Sequence, residues 1–144
     1  MLLIKEVAVY INILNSKIKK YFGDELNKNT INMTPEQYLV MDILWDEGTL
    51  SQQAIADIIQ KDKNSVTKFI DSLERKGFVF RAVDKEDRRI NNIVLSKDGI
   101  MLKDTTTEVA INMMNQVVKN IDDNELAVFV KVLQQMKHNI ENAI

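Results

Sequence analysis

No cysteine occurs among the 144 residues, and there is one histidine and one proline. Without cysteine the chain can build no disulfide framework, thiolate nucleophile or thiol redox sensor. With His138 as the single histidine, the several Cys or His ligands that zinc prefers are not supplied, and no metal site is expected. His138 stands beside Lys137 with no serine or cysteine arrangement near it, so no catalytic residue is assigned and no enzymatic activity is expected. Glycine is sparse too, at four residues, and none sits in a phosphate-cradling loop; no cofactor is called for. Long apolar runs are missing. The stretch Leu2 to Leu14 is interrupted by Lys5, Glu6 and Asn12, and no small-residue cleavage site follows. Neither a signal peptide nor a membrane span is expected, which points to a cytoplasmic protein without a membrane partner.

What remains is a chain 45% apolar and 28% charged, the composition of a largely helical globular protein of one compact unit. Its formal charge of −2 hides an asymmetry. Between Lys61 and Arg89, nine Lys or Arg face six Asp or Glu, a local balance of +3 that leaves −5 for the rest. An acidic body with one basic segment turns that segment toward a polyanion and discourages binding elsewhere.

Apolar residues at Leu3, Val7, Ile11, Leu14, Ile18 and Phe22 recur every three or four positions and predict a first helix, with Gly23 as its stop and 24–32 as a loop. Thr34-Pro35-Glu36-Gln37 combines a capping box with proline at the first helical position, a double start signal for a second helix closed by Gly48. Ser51 caps a short third helix through Ile59, and Asp62 a fourth that ends near Lys76 and Gly77. In this fourth helix Val66, Phe69, Ile70 and Leu73 form the buried stripe, while Lys63, Asn64, Ser65, Thr67 and Lys68 crowd the other face of the first turns. The period then shortens toward two through Phe78–Val83 and again through Asn92–Leu95, two strands joined by the charged tip Lys85-Glu86-Asp87-Arg88-Arg89. Ser96 caps a long fifth helix. A sixth opens with a capping box of Asp122 and Glu125 and carries Phe129, Leu133, Met136 and Ile140.

Short helix, turn, helix with a polar face, then a basic-tipped hairpin: this order predicts a mainly α fold with a small β-hairpin wing, a winged helix-turn-helix with long terminal helices. An α-helix fits the major groove of DNA, where polar side chains of its early turns reach base edges and phosphates. The candidate DNA-binding residues are therefore Lys63, Asn64, Ser65, Thr67 and Lys68 on the fourth helix, with Arg88 and Arg89 on the wing. Arginine suits the wing because its planar fork clamps phosphate or enters a narrow minor groove. Asp87 is assigned to orienting one of these arginines by a salt bridge. The alternative is a winged-helix protein-interaction module without DNA binding, which would be expected to have lost the basic residues that this chain keeps at positions 63, 68, 88 and 89.

The wing and its surroundings resemble the MarR family of bacterial regulators. That family's wing carries Asp-x-Arg followed by a Leu-Thr pair, matched here by Asp87-Arg88-Arg89 and Leu95-Ser96. Met33-Thr34-Pro35-Glu36-Gln37, Gln53-Ala54-Ile55-Ala56, Ser65-Val66-Thr67 and the run Asp71 to Val79 stand in the family's order and spacing. The resemblance implies a homodimer in which a DNA-binding lobe at 34–95 is held by a helical dimerisation region at 1–33 and 96–144. It further implies a repressor that reads pseudo-palindromic double-stranded DNA and responds to a small aromatic or amphipathic effector.

Overall fold

Five side-chain oxygens start helices in this chain. Thr34, Ser51, Asp62, Ser96 and Asp122 each accept a backbone N–H that the first helical turn would leave unpaired. The structure is a computed structural model that describes residues 2–143, so the first and last positions of the expected dimerisation region lie outside it. In chain order the elements are α1 (Leu3–Lys28), α2 (Pro35–Glu47), β1 (Leu50–Ser51), α3 (Gln52–Ile59), α4 (Lys63–Arg75), β2 (Val79–Val83), β3 (Asn91–Leu95), α5 (Lys97–Met101), α6 (Lys103–Val117) and α7 (Asp123–Asn142). Residues up to Met113 form one compact unit, which takes in α1 with the lobe expected at 34–95, and residues from Met114 onward form a second.

Within the first unit, the core is made by the apolar stripes of the short helices. Val40, Met41 and Leu44 of α2, Ile55 of α3 and Val66, Ile70 and Leu73 of α4 are fully buried, joined by Ile93 of β3. Each such side chain contributes about 1.5–3 kcal/mol of transfer free energy, so the helix-turn-helix is held by its own hydrophobic centre. A three-stranded antiparallel sheet closes the unit in the order β1-β3-β2. The hairpin is as expected, and β1 adds a short third strand, pairing Leu50 with Ile93. Across the hairpin Val79 faces Leu95 and Arg81 faces Ile93.

Three expectations are corrected. First, α1 does not stop at Gly23 but runs on to Lys28. Phe22 and Leu26 are buried there, and that burial outweighs the roughly 1 kcal/mol that a glycine costs inside a helix. A Cβ at Gly23 would meet the Pro35 ring at 3.8 Å, an ordinary van der Waals contact, so the packing of α1 on Pro35 does not itself require glycine. Second, the single fifth helix is two, α5 and α6, parted at Leu102. The cause is tertiary. The Trp45 indole donates to the Gly99 carbonyl at 2.9 Å, competing for the acceptor that the amide of Lys103 would use in a continuous helix. Gly99 itself is wedged against the backbone just before β2, since a Cβ there would collide with the Phe78 carbonyl oxygen, 2.1 Å away. Third, the capping box at α7 is not made: Asp122 accepts from the amide of Asn124, at the second helical position, at 3.2 Å, and among the described residues no side-chain bond joins Asp122 and Glu125. The box at α2 is complete, with bonds of 3.2 Å in both directions.

The terminal helices differ from the others in what they leave uncovered. In α1, Leu3, Ile4, Val7, Tyr10, Ile11 and Leu14 are exposed. In α7 no described residue is buried, and Val128, Phe129, Val130 and Val132 are each at least half exposed.

Candidate nucleic-acid interface

α3 and α4 are joined by a tight turn through Gln60, which takes the left-handed conformation at φ 57°. Asp62 then fixes the start of α4, accepting from the Ser65 amide at 2.7 Å and from the Ser65 hydroxyl at 2.9 Å. The Ser65 amide, with its hydroxyl second, holds the Asp62 carboxyl below its ordinary range, as suits an anion at the positive end of a helix. Ser65 is thus occupied by the cap.

Lys63, Asn64 and Lys68 project from α4 as exposed side chains. Thr67 does not stand free beside them. Its hydroxyl donates to the Lys63 carbonyl at 2.9 Å and accepts from the Gln52 amide group at 2.7 Å, which ties α4 to the first turn of α3. Of the five α4 residues singled out in the sequence, three present uncommitted groups and two hold the local structure.

The wing tip is organised by carboxylates. Asp84 gathers the amides of Glu86 and Asp87 at 3.0 and 3.1 Å and the side chain of Asn92 at 2.9 Å, which pins the turn to the start of β3. Hydrogen bonding, from Asn92 first, keeps its carboxyl below the usual range. Asp87 receives three bonds from Arg89: its amide at 3.0 Å, Nε at 3.1 Å and a terminal nitrogen at 3.0 Å. This pairing lowers the Asp87 pKa and raises that of Arg89, whose side chain is nonetheless 90% exposed. Arg88 is exposed, and neither it, Lys63 nor Lys68 has a carboxylate partner among the described residues.

Helix and wing meet at a cleft of about 490 Å³, whose walls include Gln52 and Gln53 of α3, Lys63 of α4, and Arg89 and Asn91 of the wing. Lys63 and Arg89 therefore stand on one surface with amide side chains between them, a cationic and hydrogen-bonding floor suited to phosphates and base edges. Two of the nine basic residues are turned away from it. Arg81 is engaged by Asp71 and Glu74, and Lys76 donates to Gln37 at 2.7 Å.

Sequence reasoning passed over Gln52, Gln53, Asp84 and Arg81. Asp84 carried a usable signal, an Asp opening a tight turn ahead of polar residues. Gln52 and Arg81 carried none, because their partners lie on other elements.

Comparison with known proteins follows the same lines. The sequence profile of the MarR family matches residues 33–90. The organic hydroperoxide resistance transcriptional regulator of Bacillus subtilis is 29% identical over 79 residues, 55% of this chain and 54% of its own length. The chain thus spans about half of that relative. The transcriptional regulator MhqR of the same organism is 23% identical over 137 residues, 93% of this chain and 94% of its own. Among solved structures, Staphylococcus aureus MepR in complex with DNA superposes with a TM-score of 0.84 at 25% identity, covering 92% of this chain and 96% of that one.

Proposed function

Starting from the chain's membership of the MarR family of winged-helix transcriptional regulators, we propose that it binds a pseudo-palindromic site in double-stranded DNA as a homodimer and represses transcription from it. The observation that carries this reading is the shared cleft: Lys63 of α4 and Arg89 of the wing line one surface, so helix and wing can address adjoining grooves together. In this assignment Asn64 reads base edges, Lys63, Lys68 and Arg88 neutralise phosphates, and Arg89, steadied by Asp87, enters the minor groove. Ser65 and Thr67 shape the helix that the others stand on. Dimerisation is supported by α1 and α7, whose exposed apolar rows need a covering that a second copy supplies. DNA binding is released by a small aromatic or amphipathic effector, without cysteine chemistry, since the chain has none. No helix among the described residues is long and apolar enough to cross a membrane.

The test is selection of bound duplexes from random or genomic DNA by the full chain. Enrichment of a two-fold symmetric site, with half-sites about one helical turn or roughly 10 base pairs apart, is the expected result. Recovery of no common sequence at any salt concentration would refute the proposal.

A further inference from the structure

Arg81 lies in β2 with its side chain only 21% exposed, and it faces α4. One terminal nitrogen meets Asp71 at 2.7 Å, the other meets Glu74 at 2.9 Å, and the Arg81 amide donates to the second oxygen of Glu74 at 3.1 Å. Between the helix and the strand the chain turns at Gly77, in the left-handed region at φ 81°, with open space where a Cβ would be. The turn itself is closed by backbone bonds, from the Gly77 amide to the Glu74 carbonyl and from the Phe78 amide to the Leu73 carbonyl, both at 3.0 Å, and the Arg81 contacts lie beyond it, where the strand leaves the helix. We propose that Arg81 is a positioning residue, a brace across the Gly77 joint that fixes the angle between α4 and the hairpin and so the spacing between the α4 face and the wing tip. This deepens the DNA-binding reading above and rests on it for its functional consequence.

The geometry favours a brace over a charge effect for two reasons. A planar guanidinium spread over two carboxylates one helical turn apart restrains orientation as well as distance. Asp71 also falls seven residues after Asn64, on the same side of α4, so both acids stand near the row assigned to DNA. Simple electrostatics therefore predicts that removing the acids tightens DNA binding, whereas loss of the brace predicts the opposite.

The experiment uses the full chain and a duplex bearing its selected site, with three variants: Arg81→Gln, Arg81→Lys, and the double variant Asp71→Asn with Glu74→Gln. All three are expected to weaken binding by about tenfold, the scale of one lost groove contact. Minor-groove hydroxyl-radical protection should disappear, while guanine N7 protection in the major groove persists. Tighter binding by the double acid variant, or full rescue by Arg81→Lys, would overturn the brace. A second readout needs no DNA. Because the chain is free of cysteine, Lys63→Cys and Arg88→Cys accept spin labels selectively, and labelled chain diluted with unlabelled chain reports the distance from α4 to the wing. The distance distribution should be narrow with Arg81 and broad in Arg81→Gln; equal widths would refute the proposal. If the chain with Arg81 intact binds no duplex, the DNA-binding reading fails by itself, and the distance widths still decide the brace.

Discussion

Two exposed surfaces of this protein make opposite statements about what covers them. The surface shared by α3, α4 and the wing is uncovered and polar, with ammonium, guanidinium and amide groups around one cleft. The outer rows of α1 and α7 are uncovered and apolar. Water can satisfy the first and gains nothing from the second, so exposure alone says little until the chemistry of the exposed atoms is read. On the reading developed above, the polar surface awaits a polyanion and the apolar rows await another copy of the chain.

The comparison breaks most readily at α7. Phe129→Asp places a carboxylate in the apolar row of both copies at once, and losing the burial of each ring costs about 1.5–3 kcal/mol before any charge penalty. Sedimentation is expected to give the mass of one chain in place of two, with DNA binding lost in consequence. An unchanged mass would remove the distinction between the two surfaces. Next in size is Gly99→Ala, which belongs to neither surface. Its Cβ would collide with the Phe78 carbonyl, at a cost of about 3 kcal/mol in thermal unfolding. Since α5 and β2 share that joint, wing and dimer should both suffer, so intact DNA affinity in this variant would contradict the packing described. Arg88→Ala and Asn64→Ala sharpen the comparison inside the polar surface. Arg88→Ala should weaken binding to all sequences and flatten the salt dependence by about 0.9 logarithmic units per lost phosphate contact. Asn64→Ala should leave that slope alone and relax preference at one base position by roughly 1–3 kcal/mol. Identical effects from the two would contradict the division of roles. The smallest effect is in pH. The folded pKa of Asp87 is depressed by Arg89, so the ordering this pair gives the wing is complete above the ordinary aspartate value of about 3.9 and is lost only as pH falls through the lower folded value. DNA affinity measured from pH 8 to 5 should carry no step from this pair, and Asp87→Asn should lower affinity equally across that range.

The features legible in the sequence were those decided locally. Thr34, Ser51, Asp62 and Ser96 announce helix starts because a cap needs only its own first turn, and the alternation at the wing needs only its own strands. Where a distant group intervenes, local rules misled. Gly23 reads as a stop until Leu26 is seen to be buried, and the fifth helix reads as continuous until Trp45 reaches the Gly99 carbonyl. The same limit applied to the site. Lys63, Asn64 and Lys68 were recognisable by type and turn, whereas the tie from Gln52 to Thr67 and the grip of Arg81 on α4 depend on tertiary neighbours that no spacing records.

Trp45 is the sole indole of the chain. Its N–H rests on Gly99, and its ring stands 6.3 Å from Tyr38 at a steep angle. Emission from this fluorophore therefore samples one place, the seam of α2 with α5, free of background from any other tryptophan. Any event that shifts this seam will change the colour or yield of that light, which gives the protein a native optical gauge requiring no dye.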